Sequence, residues 1–366
     1  MRHVFDISLR EADIQRGVND LAANGWASLE LPPKVDEAYQ LLVEDARGFF
    51  ERPSSVKRPF DIRNSDGHRG WVPTDEQGDY SDEGQRRYEA FDIGRPAQAT
   101  DVVHHPLRGN NRWPADPSGH RLGERAEALY RGLADLADRI GDAICDDLDV
   151  AHINFRELGR EPVSQLRLIH YLEAAVPAEP TVTVNADGET VIDLRDGSGE
   201  PPTATSAPAA KTTGEDEPSA MGAHTDYEFF TLLFQSKPGT QVLGDSGDWI
   251  DVPHEGRLTL LAGDMLDMFS GGRYVSTLHR AAAKVEAGRM SIPFFAAPSF
   301  NAIVRPVAGG PSSPSLHFGN HLMTQLRRDF PYLRDRHSAA PTYAESTFEL
   351  AQMAKRQPAG EALLST

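Results

Sequence analysis

The sequence is poor in cysteine, contains no long apolar run and has fewer basic than acidic residues. Its single cysteine, Cys145, excludes an internal disulfide and a cysteine-based zinc or iron–sulfur site, so we expect a reducing, cytoplasmic setting. No segment approaches the roughly 18 apolar residues of a membrane-spanning helix, and residues 1–10 lack a signal-peptide core. With 37 Lys and Arg against 55 Asp and Glu, the net charge of −18 favours neither nucleic acid nor a membrane as partner.

Several catalytic motifs are also absent. The chain has no Gly-x-x-x-x-Gly-Lys-Ser/Thr phosphate loop, no Gly-x-Gly-x-x-Gly turn, no His-Glu-x-x-His zinc motif and no Gly-x-Ser-x-Gly nucleophile elbow. The sequence therefore does not favour a nucleotide-dependent enzyme or a serine hydrolase.

Both ends of the chain have the apolar spacing of helices. Within residues 1–160 it predicts helices over 9–23, with Ser8 as N-cap, over 34–50 and over 120–148. Residues 64–111 are rich in Gly and Asp, and we expect them to form loops that cover a site. The C-terminal segment, residues 311–366, is predicted to be helical over 317–328 and 342–355.

The middle of the chain, residues 161–310, has the pattern of short antiparallel strands separated by turns, which is typical of a sandwich or barrel. Strands are predicted over residues 166–172, 230–235, 240–243, 249–252, 258–261, 265–269, 276–285 and 290–296. An insertion at 177–220 interrupts them; it contains a hairpin, 181–184 with 190–194, and a Pro- and Ser-rich run, 195–219, expected to be a mobile surface excursion.

Two residues of this region, His224 and Asp226, are candidate metal ligands. They lie two apart, so on a strand both side chains point to the same face and can reach one ion. The motif alone is weak, because a chain with 13 histidines is expected to contain about one His-x-Asp by chance.

A third ligand is available if a later strand folds back beside the first. His279 then completes two imidazoles and one carboxylate on one side of a metal, the arrangement of non-haem Fe(II) oxygenases. A zinc hydrolase can use similar ligands, so the triad alone does not decide the metal.

Arg289 and Ser291 favour the iron alternative. Arg289 follows His279 by ten residues and shares a strand face with Ser291, in a strand that is otherwise apolar and where an unpaired charge is costly. A guanidinium and a hydroxyl suit the distal carboxylate of a small diacid whose other end chelates iron.

With these motifs in place, the sequence resembles the 2-oxoglutarate/Fe(II)-dependent dioxygenases of the isopenicillin N synthase-like superfamily. The resemblance covers most of the chain and involves residues 25–26, 49–50, 67–71, 113–114, 166–171, 224–226, 263–264, 279–280 and 289–295. It implies an α+β fold with a double-stranded β-helix, or jelly-roll, core at 161–310, flanked by helices. Two departures are the absence of the usual Asn before Tyr171 and the length of the insertion.

The resemblance also implies roles for further residues. Tyr171 is expected to help position the co-substrate. The C-terminal third is similar to bacterial ethylene-forming enzymes, and that likeness implies a co-substrate or substrate space lined by a larger set: Arg167, Glu89, Tyr227, Phe295 and Arg328.

These inferences predict an oxygenase that uses Fe(II), 2-oxoglutarate and O2 to hydroxylate, desaturate or cyclise a small molecule in secondary or amino-acid metabolism. It is expected to be a monomer or a homodimer. The alternatives are an ethylene-forming type of 2-oxoglutarate oxygenase and a non-enzymatic, cupin-like jelly-roll protein that binds metal. Metal analysis and succinate release distinguish the enzymatic from the non-enzymatic alternative.

Overall fold

The computed structural model describes residues 7–74, 88–101, 105–150, 155, 161–172, 181–184, 190–193, 220–282, 286–309 and 313–336. Contacts divide the chain into one unit of Met1–Leu172 with Pro218–Thr366 and a second unit of Glu173–Glu217. In the second unit, β5 (Thr181–Val184) and β6 (Thr190–Asp193) pair as an antiparallel hairpin, which confirms that prediction. The predictions for residues 195–219 and for a helix over 342–355 lie outside the described residues.

The helices of the first unit follow their apolar periodicity. Their bounds are α1 Glu11–Asn24, α2 Pro33–Phe50, α3 Ser54–Lys57, α4 Pro117–Asp147, α5 Asp264–Ser270, α6 Phe318–Asp329 and α7 Tyr332–Arg336. Arg10, not Ser8, is the N-cap of α1, and Gly25 ends this helix in the left-handed conformation, with φ of 79°. The N-cap of the long α4 is Asp116, whose side chain accepts hydrogen bonds from the backbone N–H of Ser118 and Gly119. None of the described helices is long and apolar enough to cross a membrane.

Two antiparallel sheets hold the site. The strands of this unit are β1 Trp26–Glu30, β2 Gly70–Val72, β3 Tyr88–Gly94, β4 Gln165–Tyr171, β7 Met221–His224, β8 Phe230–Gln235, β9 Thr240–Leu243, β10 Trp249–Asp251, β11 Arg257–Ala262, β12 His279–Ala281, β13 Met290–Ala296, β14 Ile303–Val304 and β15 Leu316–His317. The larger sheet has the order β1-β11-β8-β13-β4-β3-β2, and the smaller has the order β10-β9-β12-β7. The N-terminal region therefore adds three strands to the sheet built by the middle of the chain.

Several stretches differ from the sequence prediction, among them the strand predicted over 276–285, of which only β12, His279–Ala281, is present in the described residues. Residues 64–111 were expected to be loops, but they contain β2 and β3, and all seven residues of β3 are buried. The sequence pattern does not indicate this strand, because it contains the polar residues Glu89 and Asp92. Inside the protein these two side chains are neutralised by Lys57 and Arg167. The predicted strand over 265–269 is instead α5, which begins directly after Gly263. A short apolar run fits either a strand or a buried helix.

The buried ion pair that supports β3 gives a first testable prediction. Lys57 Nζ lies 2.6 Å from Glu89 Oε2, and both side chains are 7% exposed. We expect Lys57→Met to destabilise the protein by about 3–5 kcal/mol, because it leaves the Glu89 carboxylate buried without its cation. The free energy of unfolding in urea is the measurement.

The matched control is Lys237→Met, since Lys237 forms a more exposed pair with Glu286 at 2.8 Å. Loss of such a pair is expected to cost about 0–1 kcal/mol. Equal destabilisation by the two substitutions contradicts the importance of the buried pair.

Candidate active site

A cavity in the first unit is lined by both sheets. The larger sheet contributes Tyr171 and Ser291, and the smaller contributes Thr240 and His279. The three predicted metal ligands, His224, Asp226 and His279, all line this cavity.

The pairing of β7 with β12 brings the two histidines together. His279 is the antiparallel partner of His224, and their rings are 4.4 Å apart between centroids. Asp226 follows β7, and its Oδ1 lies 3.8 Å from Nε2 of each histidine. One ligand atom from each of the three residues lies within 4.8 Å of the others, which is compatible with coordination of a single ion.

Backbone carbonyls orient both imidazoles. His224 Nδ1 lies 2.8 Å from Gly222 O, and His279 Nδ1 lies 3.0 Å from Thr277 O. A carbonyl can only accept, so each Nδ1 carries a proton, and in the neutral ring Nε2 is the atom with a free lone pair. Burial and the neighbouring His279 lower the pKa of His224 to about 4, which keeps this ring neutral.

The Asp226 carboxylate is also fixed by a neighbour. Thr231 donates its hydroxyl proton to Asp226 Oδ2, while Oδ1 faces the two histidines. Thr231 is buried on β8. The donor set fits a metal ion: two imidazoles whose Nδ1 atoms are hydrogen-bonded and one oriented carboxylate oxygen.

Arg289 lies fully buried, with 0% exposure, just before β13. Its Nη2 donates to Gln235 Oε1 and to Thr240 Oγ1, both at 2.8 Å, and its Nε donates to Lys237 O at 3.2 Å. Among the described residues no carboxylate pairs with it, and its Nη1 has no hydrogen-bond partner. A buried cation without an anion is costly, so this position favours an anionic ligand.

Ser291 and Tyr171 lie next to this arginine. The guanidinium Cζ is 4.5 Å from the centroid of the Tyr171 ring, and Ser291 Oγ donates to Tyr171 Oη at 3.4 Å. Both residues line the cavity. The structure therefore places one guanidinium next to two hydroxyls that line one end of the cavity, although Arg289 is not itself a lining residue.

The other predicted site residues separate into two groups. Arg167, Tyr227 and Phe295 line the cavity. Arg328 is not one of the lining residues, but its Nη2 donates to Tyr227 Oη at 3.0 Å, and Tyr227 donates to Asp329 at 2.8 Å.

Glu89 lies outside the cavity, contrary to the role that the resemblance implied. Side chains alternate along β3, so Glu89 points away from the face of the sheet on which Tyr88 lines the cavity. It accepts hydrogen bonds from Lys57 and Trp71 there.

Sequence reasoning missed several polar residues of the cavity wall, among them Gln165, Glu228, Thr231 and Arg280. Glu228 is the most unusual, because burial and the nearby Asp226 raise the pKa of its carboxyl to about 8. One signal was available, since Glu228 continues the alternation of His224 and Asp226.

Comparisons with known proteins agree with this site. A sequence profile of the 2OG-Fe(II) oxygenase superfamily matches residues 208–298. A 2-oxoglutarate-Fe(II) type oxidoreductase of Emericella nidulans is 30% identical over 191 residues, which are 51% of this chain and 45% of that protein. A homoarginine-6-hydroxylase of Arabidopsis thaliana is 26% identical over 305 residues, 78% of this chain and 80% of that protein.

Solved structures show the same fold. A Neurospora crassa protein crystallised in complex with alpha-KG and thymine has a TM-score of 0.63 at 20% identity, and the match covers 86% of this chain and 91% of that one. A 2OG-Fe(II) oxygenase family protein of Caulobacter crescentus has a TM-score of 0.63 at 21% identity, and the match covers 86% of this chain and 95% of that one. The predicted α+β jelly-roll fold is confirmed.

Residues 208–298 match the profile of the 2OG-Fe(II) oxygenase superfamily, which is the class of protein that the sequence comparisons indicate. The match covers 45% of the Emericella relative, about half of its length. The reaction of the present protein is therefore given below as a proposal.

Proposed function

We propose that this protein is an Fe(II)- and 2-oxoglutarate-dependent oxygenase that oxidises a C–H bond of a small molecule, with release of succinate and CO2. The observation that supports it most is a metal-compatible triad in a cavity beside a buried arginine that has no acidic partner among the described residues. A zinc hydrolase has no use for such an arginine, because its reaction needs no diacid co-substrate.

His224, Asp226 and His279 are the proposed iron ligands. Their three donor atoms leave further coordination positions for ligands from solution, which this chemistry requires. Bound Fe(II) would supply the activation of O2 coupled to decarboxylation of 2-oxoglutarate, a chemistry that side chains alone do not provide. The chain itself orients both rings through their Nδ1 hydrogen bonds and holds the Asp226 carboxylate in place through Thr231.

Arg289 is the proposed anchor for the distal carboxylate of 2-oxoglutarate. Its Nη1 lacks a partner among the described residues, so it can donate to an incoming carboxylate without breaking an existing bond. The hydroxyls of Ser291 and Tyr171 complete this end of the cavity. Arg167 has a positioning role in this proposal, because Asp92 holds its guanidinium through two hydrogen bonds of 2.6 and 2.9 Å.

The substrate space is proposed to extend over Tyr227 and Phe295, with Arg328 acting through Tyr227. Placement of the substrate selects hydroxylation, desaturation or cyclisation, because the ligands only generate the oxidant. A cytoplasmic location, a monomeric or homodimeric state and the lack of a nucleic-acid partner belong to the same proposal.

The test combines metal analysis with product analysis. Protein loaded anaerobically with Fe(II) is exposed to O2 and 2-oxoglutarate, and succinate is measured with and without a panel of small amino acids, peptides and natural-product scaffolds. Succinate formation that depends on iron supports an oxygenase. Bound metal without any succinate indicates a cupin-like binding protein, and ethylene in the headspace indicates the ethylene-forming alternative.

Thr231→Val tests the support of the proposed carboxylate ligand. The substitution keeps the volume but removes the hydroxyl that donates to Asp226 Oδ2. We expect iron affinity to fall by about 10–100-fold, the usual effect of losing a residue that orients a ligand. Competition with a chelator measures it, and Thr259→Val, a buried threonine on β11, is the control. Unchanged iron affinity in Thr231→Val contradicts this role.

A further inference from the structure

The cavity contains a second buried ionisable side chain, Glu228. It is 7% exposed and lines the cavity wall. Apart from its own backbone N–H, no described residue forms a hydrogen bond or ion pair with its carboxyl group. A buried carboxyl group without a side-chain partner costs free energy, and protein interiors pair such groups when they serve only the fold.

Glu228 lies at the opposite end of the cavity from Arg289. The strand β4 runs from Gln165 to Tyr171, a distance of about 20 Å at the usual rise of a strand. At one end of β4, Tyr171 contacts Arg289. At the other end, Gln165 pairs with Phe295 of β13. Phe295 pairs in turn with Thr231 of β8, three residues after Glu228. The end proposed for 2-oxoglutarate is therefore cationic, and the far end has an acidic side chain.

The two nearby arginines are bound to other groups. Arg167 forms two hydrogen bonds with Asp92, which neutralises its charge. Arg280 donates from Nε to Gln241 at 3.0 Å, and its guanidinium lies 4.1 Å from the centroid of the Trp249 ring. The charge of Arg167 acts on the Glu228 carboxyl and lowers its pKa, but this guanidinium is hydrogen-bonded to Asp92.

The far end contains another unsatisfied polar group. The Gln165 side-chain nitrogen is buried and has no hydrogen-bond partner among the described residues. Gln165 also lines the cavity. An unsatisfied amide nitrogen and a carboxyl group without a side-chain partner thus lie at the same end, which is typical of a site that a polar ligand completes.

We propose that Glu228 determines substrate specificity by binding a protonated nitrogen of the primary substrate, an amine or a guanidinium, and that Gln165 donates to an oxygen of the same molecule. The inference rests on the proposed function and deepens it by naming the substrate class. The cationic group binds at Glu228, while 2-oxoglutarate occupies the Arg289 end.

The test uses matched pairs of compounds in which only the charge differs: alkylamines with the corresponding alcohols, and alkylguanidines with the corresponding ureas. Each is titrated anaerobically into protein loaded with Fe(II) and 2-oxoglutarate, and the change in the iron-to-2-oxoglutarate charge-transfer band reports binding. We expect cationic members to bind about tenfold or more tightly than their neutral partners, the usual effect of a charge-assisted hydrogen bond.

Glu228→Gln keeps the shape of the side chain and removes the carboxyl group, so the preference is expected to fall to within about twofold. Glu228→Asp keeps a carboxyl group and is expected to retain part of the preference. Glu255→Gln, at an exposed position, is the matched control and should behave as the parent.

Four results separate the possible failures. Equal binding of charged and neutral partners by the parent protein contradicts the inference, and so does a preference that survives in Glu228→Gln. If no cationic compound binds although the charge-transfer band is present, the inference is contradicted as well. Absence of the band itself is a failure of the proposed function.

Discussion

Asp226→Ala is expected to abolish 2-oxoglutarate turnover and to remove most of the bound iron. Asp226 Oδ1 lies 3.8 Å from Nε2 of both His224 and His279, so the carboxylate is the one anionic member of the proposed ligand set. Without it, two neutral imidazoles remain, and a hard cation such as Fe(II) loses its charged oxygen ligand. Elemental analysis of protein purified without oxygen, together with succinate formation, measures the effect.

A matched control separates this effect from general damage. Asp251 is an exposed carboxylate of the smaller sheet that accepts a hydrogen bond from Gln241 at 2.9 Å, and Asp251→Ala should keep the parent's iron content and activity. The far-ultraviolet circular dichroism of Asp226→Ala should match the parent's, since the ligand cluster adds little to the core. Full activity in Asp226→Ala contradicts the assignment of the triad.

Arg289→Ala is expected to weaken 2-oxoglutarate binding by about 30-fold to several-thousand-fold, because removing one partner of a buried, charge-assisted pair typically costs about 2–5 kcal/mol. The guanidinium has no acidic partner among the described residues, so the anion it binds has to be a ligand. Iron binding should change little, because none of the three ligands contacts this arginine. Anaerobic titration of the charge-transfer band with 2-oxoglutarate gives the affinity.

Arg289→Lys should fall between the parent and Arg289→Ala, since lysine keeps the charge but loses the planar fork. The matched control is Arg305→Ala, which removes an exposed arginine and should leave the affinity unchanged. Parent-like affinity in Arg289→Ala places the anchor elsewhere in the cavity, with Arg167 as the next candidate.

The sequence was most informative where chemistry restricts the residue type. His224, Asp226 and His279 were identified because few other side chains bind a transition metal, and the antiparallel pairing of β7 with β12 brings them together. Arg289 was conspicuous because a cation in an apolar strand needs an ionic partner. Its role stays a prediction until the affinities are measured.

Local pattern was a poor guide where tertiary contacts decide the structure. The strand β3 contains Glu89 and Asp92, which looked too polar for a core, and only distant Lys57 and Arg167 make their burial possible. Residues of α5 form an apolar run that fits either a strand or a helix, and the turn at Gly263 selects the helix.

Glu228 was missed for a related reason. In the sequence it is one of many acidic residues of a chain with net charge −18, and such residues normally lie at the surface. Only the structure reveals that it is buried, faces the cavity and has no side-chain partner among the described residues. Whether such a group has a partner depends on how distant strands pack together. The periodicity of the sequence carries no information about that packing.

The most direct test of the central claim is the fate of 2-oxoglutarate in the parent protein and in Asp226→Ala. Protein loaded with Fe(II) is mixed with 2-oxoglutarate and O2, and succinate and CO2 are quantified against the 2-oxoglutarate consumed. The proposed function predicts equimolar succinate and CO2 in the parent, dependent on iron and O2, and neither product in Asp226→Ala. Intact 2-oxoglutarate in the iron-loaded parent, or the same product yield in both proteins, contradicts it.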